Sequence, residues 1–209
     1  EAPAAVDNDS QVAALGEYTF GHGQDSSNLV VVKVGRGTGA GIVLNGRLHY
    51  GDGSGAGEIG HVTIIKDGEA CLCGHFGCLE TVVSSRAIVK QAQLIAQNDP
   101  NSVLHQFATT PEAINTDVVL RAFEAGDEAL QAVIAQVGRY LGLAGANLVG
   151  ALNIQRIVIA GSLARFGQPL LEPVRQEMRQ QSLGALANET HIEIANLGAD
   201  IVIMGAAAL

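Results

Sequence analysis

Apolar positions along the chain follow two different periods, and the alternation between them sets the expected elements. At 29–34 the run is Leu-Val-Val-Val-Lys-Val, apolar at every position but Lys33. A short β-branched run of this kind predicts a strand buried on both faces. Ile42-Val43-Leu44, Asn45-Gly46 and Arg47-Leu48 follow. Asn-Gly between two short strand signals predicts a hairpin, so the first half should hold a three-stranded antiparallel meander. Upstream, Asp9 and Ser10 precede Val12, Ala13, Ala14 and Leu15. Asp and Ser there are N-cap signals, so that order predicts a short helix starting near Asp9 or Ser10 and ended by Gly16 and the glycines at 21 and 23.

The second half changes to a period of 3.6. Leu130, Val133, Ile134, Val137, Leu141 and Leu148 mark one face of a long helix starting after Gly126-Asp127. Gly138, Gly142 and Gly145 lie along it and predict a smooth stripe for close approach of another element. Ser84 and Ser85 predict caps for a helix carrying Ile88, Ala92 and Ile95. Residues 98–116 read as turns. A strand is expected at 154–160, a helix at 171–182 with Pro173 in its first turn, and a strand at Ile192 and Ile194. Ile201-Val202-Ile203 leads into a short Ala-rich end. The order helix, meander, helices, strand, helix, strand predicts an α/β fold with a mixed sheet. No internal repeat is present.

Composition narrows the function classes. The chain has 209 residues and is 47% hydrophobic with 16% charged, enough for a substantial core. Twelve Lys and Arg against 21 Asp and Glu give a net charge of -9, which opposes binding to a phosphate backbone by this segment. No uninterrupted apolar run approaches the roughly 18 residues of a membrane span, and no basic segment precedes an apolar core at the start. The expected location is cytoplasmic, with no membrane partner. The chain opens Glu1-Ala2-Pro3 without Met, so it reads as an internal part of a longer protein.

Gly is 26 of the 209 residues, and all three cysteines fall within eight positions. Cys71, Cys73 and Cys78 form C-x-C-x4-C, a poor disulfide framework and a good metal set. A tetrahedral structural site needs a fourth donor. His75 sits inside the short loop between two ligands, where turning inward is hard. His61 lies ten residues upstream, with enough chain to close back, and is the preferred ligand. Thiolates with one imidazole suit zinc, and a site filled by four protein donors orders a loop without activating water. The alternative is three reduced thiols in a glycine-rich loop.

Gly35-Arg36-Gly37-Thr38-Gly39-Ala40-Gly41 has the look of a phosphate loop, but it lacks a Gly-Lys-Ser/Thr ending and runs into a strand. It suits either a backbone N–H nest for an anion or an ordinary tight connection. Asn8, Asp9, Glu58, His61 and Glu80 are the polar residues nearest these loops. Carboxylates, an amide and an imidazole around a cleft are groups that bind sugar hydroxyls, and one carboxylate can act as general base. Taken singly, Glu58 and Glu80 also read as surface carboxylates and Asp9 as a helix cap.

Together these residues match a pattern. Glu58-Ile59-Gly60-His61, then Cys71-x-Cys73-Gly74-x-x-Gly77-Cys78-x-Glu80, resembles the ROK family of repressors, open reading frames and kinases. Gly37-Thr38-Gly39-Ala40-Gly41 with Gly46 and Gly57 is similar to that family's glycine signature, and Asn8-Asp9 with Ala13 to Glu17 to its catalytic-Asp segment. The likeness runs nearly the whole chain. It implies an actin-like, ribonuclease-H-like ATPase or hexokinase-type fold in which 1–209 is a sugar-binding effector domain and 51–83 a zinc-containing loop insertion. It implies sugar contacts from Asn8, Asp9, Glu58, His61 and Glu80, with Asp9 catalytic only in a kinase. Zinc would be held by His61, Cys71, Cys73 and Cys78. Gly37, Thr38, Gly39, Gly41 and Gly161 would face phosphates or nucleotide, with ATP and Mg2+ as cofactors only in a kinase.

Three departures bear on function. The family's N-terminal Asp-x-Gly-Gly-Thr phosphate loop does not occur here. The segment where kinases carry a Gly-Gly-Gly turn reads Ala160-Gly161-Ser162-Leu163, and Gln11 stands where the family has a second Asn. With Cys78-Leu79-Glu80-Thr81-Val82 and the Gly205-Ala206-Ala207-Ala208 ending, the resemblance leans to the sugar-sensing part of a transcriptional regulator. Such a regulator would be a homodimer or homotetramer, bind a sugar or sugar phosphate, and reach DNA only through an upstream helix-turn-helix. The alternative is a fragment of an ATP-dependent sugar kinase.

Overall fold

The computed structural model describes residues 6–209; the opening Glu1-Ala2-Pro3 lies outside them. Helix α1 (Asp9–Phe20) starts at the expected Asp9, but its N-cap is Asn8, whose Oδ1 accepts the Ser10 N–H at 2.8 Å. The expected stop at Gly16 is not one. A Cβ there would lie 2.6 Å from the Ile201 carbonyl, so this glycine admits a second helix, and α1 runs on to Gly21.

Strands β1 (Leu29–Val34), β2 (Thr38–Leu44) and β3 (Arg47–Leu48) form the expected antiparallel meander. Asn45 and Gly46 both take positive φ, 51° and 77°, the backbone that a two-residue hairpin turn demands. The chain then leaves regular structure until α2 (Glu80–Val83) and α3 (Ser85–Asn98), the latter capped by Ser84 Oγ accepting the Ala87 N–H. The turn-rich stretch is irregular as expected and ends at Asn115, which caps α4 (Thr116–Glu124), a helix not expected from the sequence. The surrounding Pro and Thr residues mask that cap in the sequence.

Helix α5 (Glu128–Leu152) is capped by Asp127, whose buried carboxylate accepts from Leu130 N, Val103 N and Ser102 Oγ. One residue thereby starts the helix and pins the preceding loop. Then come β4 (Arg156–Ala160), α6 (Gln168–Gln181), α7 (Gly184–Glu189), β5 (His191–Ile194) and α8 (Ile201–Ala206). Because α6 begins at Gln168, Pro169 takes the first-turn place expected of Pro173, which lies a turn further in.

The sheet order is β3-β2-β1-β4-β5, antiparallel in the meander and parallel across β1–β4 and β4–β5. This is the expected mixed sheet. Alternation along the strands gives it two cores. Val30, Val32, Val34, Ile157 and Ile159 face the layer of α3 to α6, while Leu29, Val31, Val158 and Ala160 face α1 and α8. The small-residue stripe of α5 seats α6. A Cβ on Gly138 would come within 2.7 Å of the Leu170 carbonyl, and one on Gly142 within 2.6 Å of the Val174 carbonyl. By length and composition α5 is apolar enough to cross a membrane, against the expectation from uninterrupted runs, because Ala and Gly take the place of charges. It is nevertheless a core helix, with 56% of its most apolar window buried against the sheet and its neighbours.

Candidate functional site

The N-terminus of α1, the β1–β2 turn and the loop after β3 converge on a cleft of about 170 Å³. Asn8, Asp9, Glu58, His61 and Glu80 all line it, although they are spread over the first 80 positions. Each is delivered by local chemistry. The capping role of Asn8 places it and Asp9 at the end of α1 that faces the cleft. Glu58 and His61 are delivered by two glycines that let the loop lie on the sheet. Gly57 has φ +94° and its Cα sits against the Ala40 carbonyl, where a Cβ would be at 1.8 Å; a Cβ on Gly60 would be 2.1 Å from the Thr38 carbonyl. The Gly57 carbonyl then accepts the Ala40 N–H at 2.8 Å.

The cleft's charges are paired with specific partners. Lys33 Nζ lies 2.7 Å from Asp9 Oδ2, and Ser10 Oγ lies 3.3 Å from Asp9 Oδ1. Glu80 is only 12% exposed; its Oε2 accepts the Thr38 N–H at 2.8 Å and its Oε1 faces Arg86 Nη2 at 3.2 Å. Glu58 and His61 are more open, with Glu58 Oε2 3.9 Å from His61 Nε2.

The other ring nitrogen of His61 points the opposite way. Its Nδ1 is 3.6 Å from Cys71 Sγ, and Cys73 Sγ is 3.7 Å from Cys78 Sγ. The four donor atoms of His61, Cys71, Cys73 and Cys78 all lie within 4.8 Å of one another, so this set could hold a metal ion. The two short separations match the donor–donor edge of roughly 3.7 Å that a tetrahedron with Zn–S arms of about 2.3 Å would have. The His75 ring reaches Cys73 alone in this set, with Nδ1 3.5 Å from its sulfur, while its carbonyl accepts the Cys71 N–H at 2.8 Å, and the residue is exposed. The His75 backbone N–H, then its ring, lowers the Cys73 thiol to about 6, while burial, then its thiol neighbours, pushes Cys78 up to about 12. Two isolated bridges, Thr63–Cys78 and Ala70–Phe76, brace the loop that carries these residues.

The glycine-loop candidates separate. Gly37, Thr38 and Gly39 line the carboxylate cleft. Gly41 lines neither cleft: its Cα packs under α1, where a Cβ would be 2.2 Å from the Ser10 carbonyl. Gly161, with φ +90°, lines a second cleft of about 710 Å³ together with Gly35, Arg36, Ser162 and Arg165. Lys33 borders both clefts. Sequence reasoning missed it, though a lone cation in an otherwise apolar strand was a readable signal. It also missed Arg86 and Ser10.

Residues 1–209 match the ROK family model throughout. The chain is 38% identical to a glucokinase of Halalkalibacterium halodurans over 97% of its own length and 62% of the relative's. Among solved structures it is similar to a ROK family glucokinase from Streptomyces griseus in complex with glucose and AMPPNP, with TM-score 0.89 and 30% identity over 98% of this chain and 67% of that one. It is equally similar to a ROK family transcriptional regulator, a homologue of the E. coli MLC protein, with TM-score 0.88 and 36% identity over 97% of this chain and 50% of that one. The α/β fold with a mixed sheet is therefore that of ROK sugar kinases, in the actin-like ATPase and hexokinase class.

Proposed function

Because the chain belongs to the ROK family, we propose that its carboxylate-lined cleft binds a sugar and that it is the effector-sensing part of a regulator of carbohydrate metabolism. The observation that carries this reading is the convergence of Asn8, Asp9, Glu58, His61 and Glu80 on one cleft. A pyranose offers hydroxyls on its rim and apolar C–H faces. Carboxylates accept from the hydroxyls, the Asn8 amide can donate or accept, and His61 Nε2 reaches the same space beside Glu58.

The metal in this reading is zinc, held by His61, Cys71, Cys73 and Cys78. When bound, it supplies a structural cross-link with no open coordination position. The chain's own residues do the rest. His61 spans the loop, with one nitrogen toward the thiolates and the other toward the cleft. Glu80, two residues past Cys78, holds the β1–β2 turn through Thr38.

Two features favour sensing over catalysis. At 160–163 the chain keeps only Gly161 of the kinase turn. Asp9, the residue that would deprotonate a hydroxyl, is engaged at both oxygens by Lys33 and Ser10. In a regulator the sugar would act by binding one state of a dimer or tetramer better than another, with DNA reached through a helix-turn-helix outside this chain. The net charge of -9 supports that division. The location in this reading is the cytoplasm.

The kinase reading rests on a specific observation as well. The carboxylate cleft adjoins the second cleft at Lys33, so a sugar beside Asp9 and a nucleotide beside Gly161 would be neighbours. There Asp9 would be the base and Mg2+-ATP the donor. The full-length protein decides between the two. Isothermal titration with D-glucose and N-acetyl-D-glucosamine should show binding, a coupled assay with ATP should show no phosphorylation, and sugar should release bound operator DNA. Robust ATP-dependent phosphorylation of either sugar would establish the kinase instead.

A further inference from the structure

The segment that follows the last cysteine reaches back to the β1–β2 turn at more than one point. The Ser85 N–H donates to the Gly35 carbonyl at 2.8 Å. Arg86 Nε donates to the Arg36 carbonyl at 3.1 Å, and its Nη2 reaches Glu80 Oε1 at 3.2 Å. Glu80 Oε2 closes the circuit by accepting the Thr38 N–H at 2.8 Å. Three stations of the turn, at 35, 36 and 38, are thus held by residues 80, 85 and 86. Within the turn the Gly35 N–H donates to the Gly37 carbonyl at 2.9 Å, but no side chain of its own packs there: a Cβ on Gly35 would touch nothing, and one on Gly37 would meet only Glu80 Oε2, at 3.1 Å.

Arg86 is the fork of this circuit. Its Nε holds a backbone carbonyl of the turn while Nη2, on the same edge of the guanidinium, holds the cleft carboxylate. Both bonds are charge-assisted on the donor side, and the planar fork fixes their relative direction. Its side chain is 47% exposed, so it contributes little to the core. Among the described residues Glu80 has no other cationic partner, and a half-buried carboxylate without one is free to turn away from Thr38.

We propose that Arg86 is a positioning residue of the cleft: it aims Glu80 and clamps the β1–β2 turn, so that Glu80, Gly37 and Thr38 present one preset wall to the ligand. The proposal rests on the sugar reading for its ligand, but not for its mechanics. It predicts that losing the fork leaves the fold and the metal site standing while the turn loosens and ligand affinity falls.

The test is Arg86→Gln, with Arg86→Lys as the conservative variant, in the full-length protein. Affinity for D-glucose and N-acetyl-D-glucosamine is measured by titration calorimetry, metal content by elemental analysis, and amide exchange at 35–39 by mass spectrometry. In Arg86→Gln, affinity for the bound sugar should fall by about tenfold. Exchange at 35–39 should quicken, metal content and melting temperature should hold, and Arg86→Lys should recover part of the affinity. Unchanged affinity and unchanged exchange would overturn the proposal, as would loss of metal, which would place the role of Arg86 in the cysteine loop. If the wild-type protein binds neither sugar, the sugar reading fails by itself. Exchange at 35–39 then decides this proposal alone: quickening in Arg86→Gln sustains the clamp, and no change removes it.

Discussion

The loop at 51–79 and the pair α5–α6 obtain order in opposite ways, and both depend on glycine. In the helix pair, glycine removes bulk from an already regular element, so that Gly138 and Gly142 let the α6 backbone reach α5. Leu130, Ile134, Val137, Leu141, Leu170, Val174 and Met178 around them are buried, and that burial is the source of order. In the loop, glycine permits backbone that other residues avoid, as at Gly57 and Gly77 with φ +94° and +67°. Few of its apolar side chains are buried; Val62, Leu72 and Phe76 are exposed. Its order comes from directed bonds: the backbone bonds and bridges within the loop, the anchor at Glu80 and, in the proposed reading, a metal on His61 and the three cysteines. One region is held by area and the other by a few directed bonds, so they should fail differently.

The largest effect should come from removing a directed bond that nothing replaces. Cys71→Ser or Cys78→Ser should take the metal content from about one ion per chain to about zero. Sugar binding should disappear with it, because His61 and Glu58 lose their anchor, while most of the helical core stays folded. Elemental analysis and calorimetry check the first two points, and far-ultraviolet circular dichroism the third. A variant that keeps full sugar affinity without metal would show that the loop is ordered by its backbone alone.

The converse break is Gly142→Val. Its side chain would enter space held by the Val174 carbonyl and Glu177 Cβ, each 2.6 Å from the new Cβ. Stability to urea should fall by about 1–3 kcal/mol. Metal content and sugar affinity of the folded fraction should not change, since α6 carries none of the cleft. If the metal is lost as well, the two regions are not independent.

The contrast also explains how much was readable in advance. Area-based order leaves a periodic trace. The positions 130 to 148, the β-branched run at 29–34 and the Asn45-Gly46 turn all mark elements that the structure contains. Directed bonds leave a trace only where the chemistry is unusual, as with three cysteines and a histidine. Arg86 and Lys33 are ordinary residue types whose roles follow from what folding brings beside them: Glu80 and Arg36 for the first, Asp9 for the second. No local pattern encodes those pairings. Helix ends were misjudged for a related reason. Gly16 looks like a terminator until α8 is seen to need its surface, and Asn8 caps α1 from a position that sequence alone assigned to ligand binding.

Protons should compete with the metal for the loop and leave the helix pair untouched. Without an ion, Cys78 is held protonated, its thiol pushed up to about 12, so metal must displace that proton at any ordinary pH. Cys73, lowered to about 6, gives up its proton above that value and must be deprotonated below it. The sign is fixed: apparent metal affinity rises with pH. It should change by about tenfold per pH unit from Cys78 alone and more steeply below about pH 6, where Cys73 joins. Competition against a chromophoric chelator reads the slope. A flat profile across neutrality would contradict the buried, protonated Cys78.

The smallest expected effect probes a residue with two tasks. Asn8 caps α1, a directed bond at 2.8 Å to the Ser10 N–H, and also lines the cleft. Alanine at this position removes both functions and should cost about 1 kcal/mol of stability through the cap. Serine separates them. Its hydroxyl caps a helix about as well as the Asn side chain, so Asn8→Ser should keep the melting temperature of the wild type. It cannot offer an amide N–H and carbonyl together to a ligand. A lowered sugar affinity in Asn8→Ser at unchanged melting temperature therefore assigns the amide to the ligand. Equal affinity in both proteins would confine Asn8 to the helix and leave the carboxylates and His61 to form the cleft.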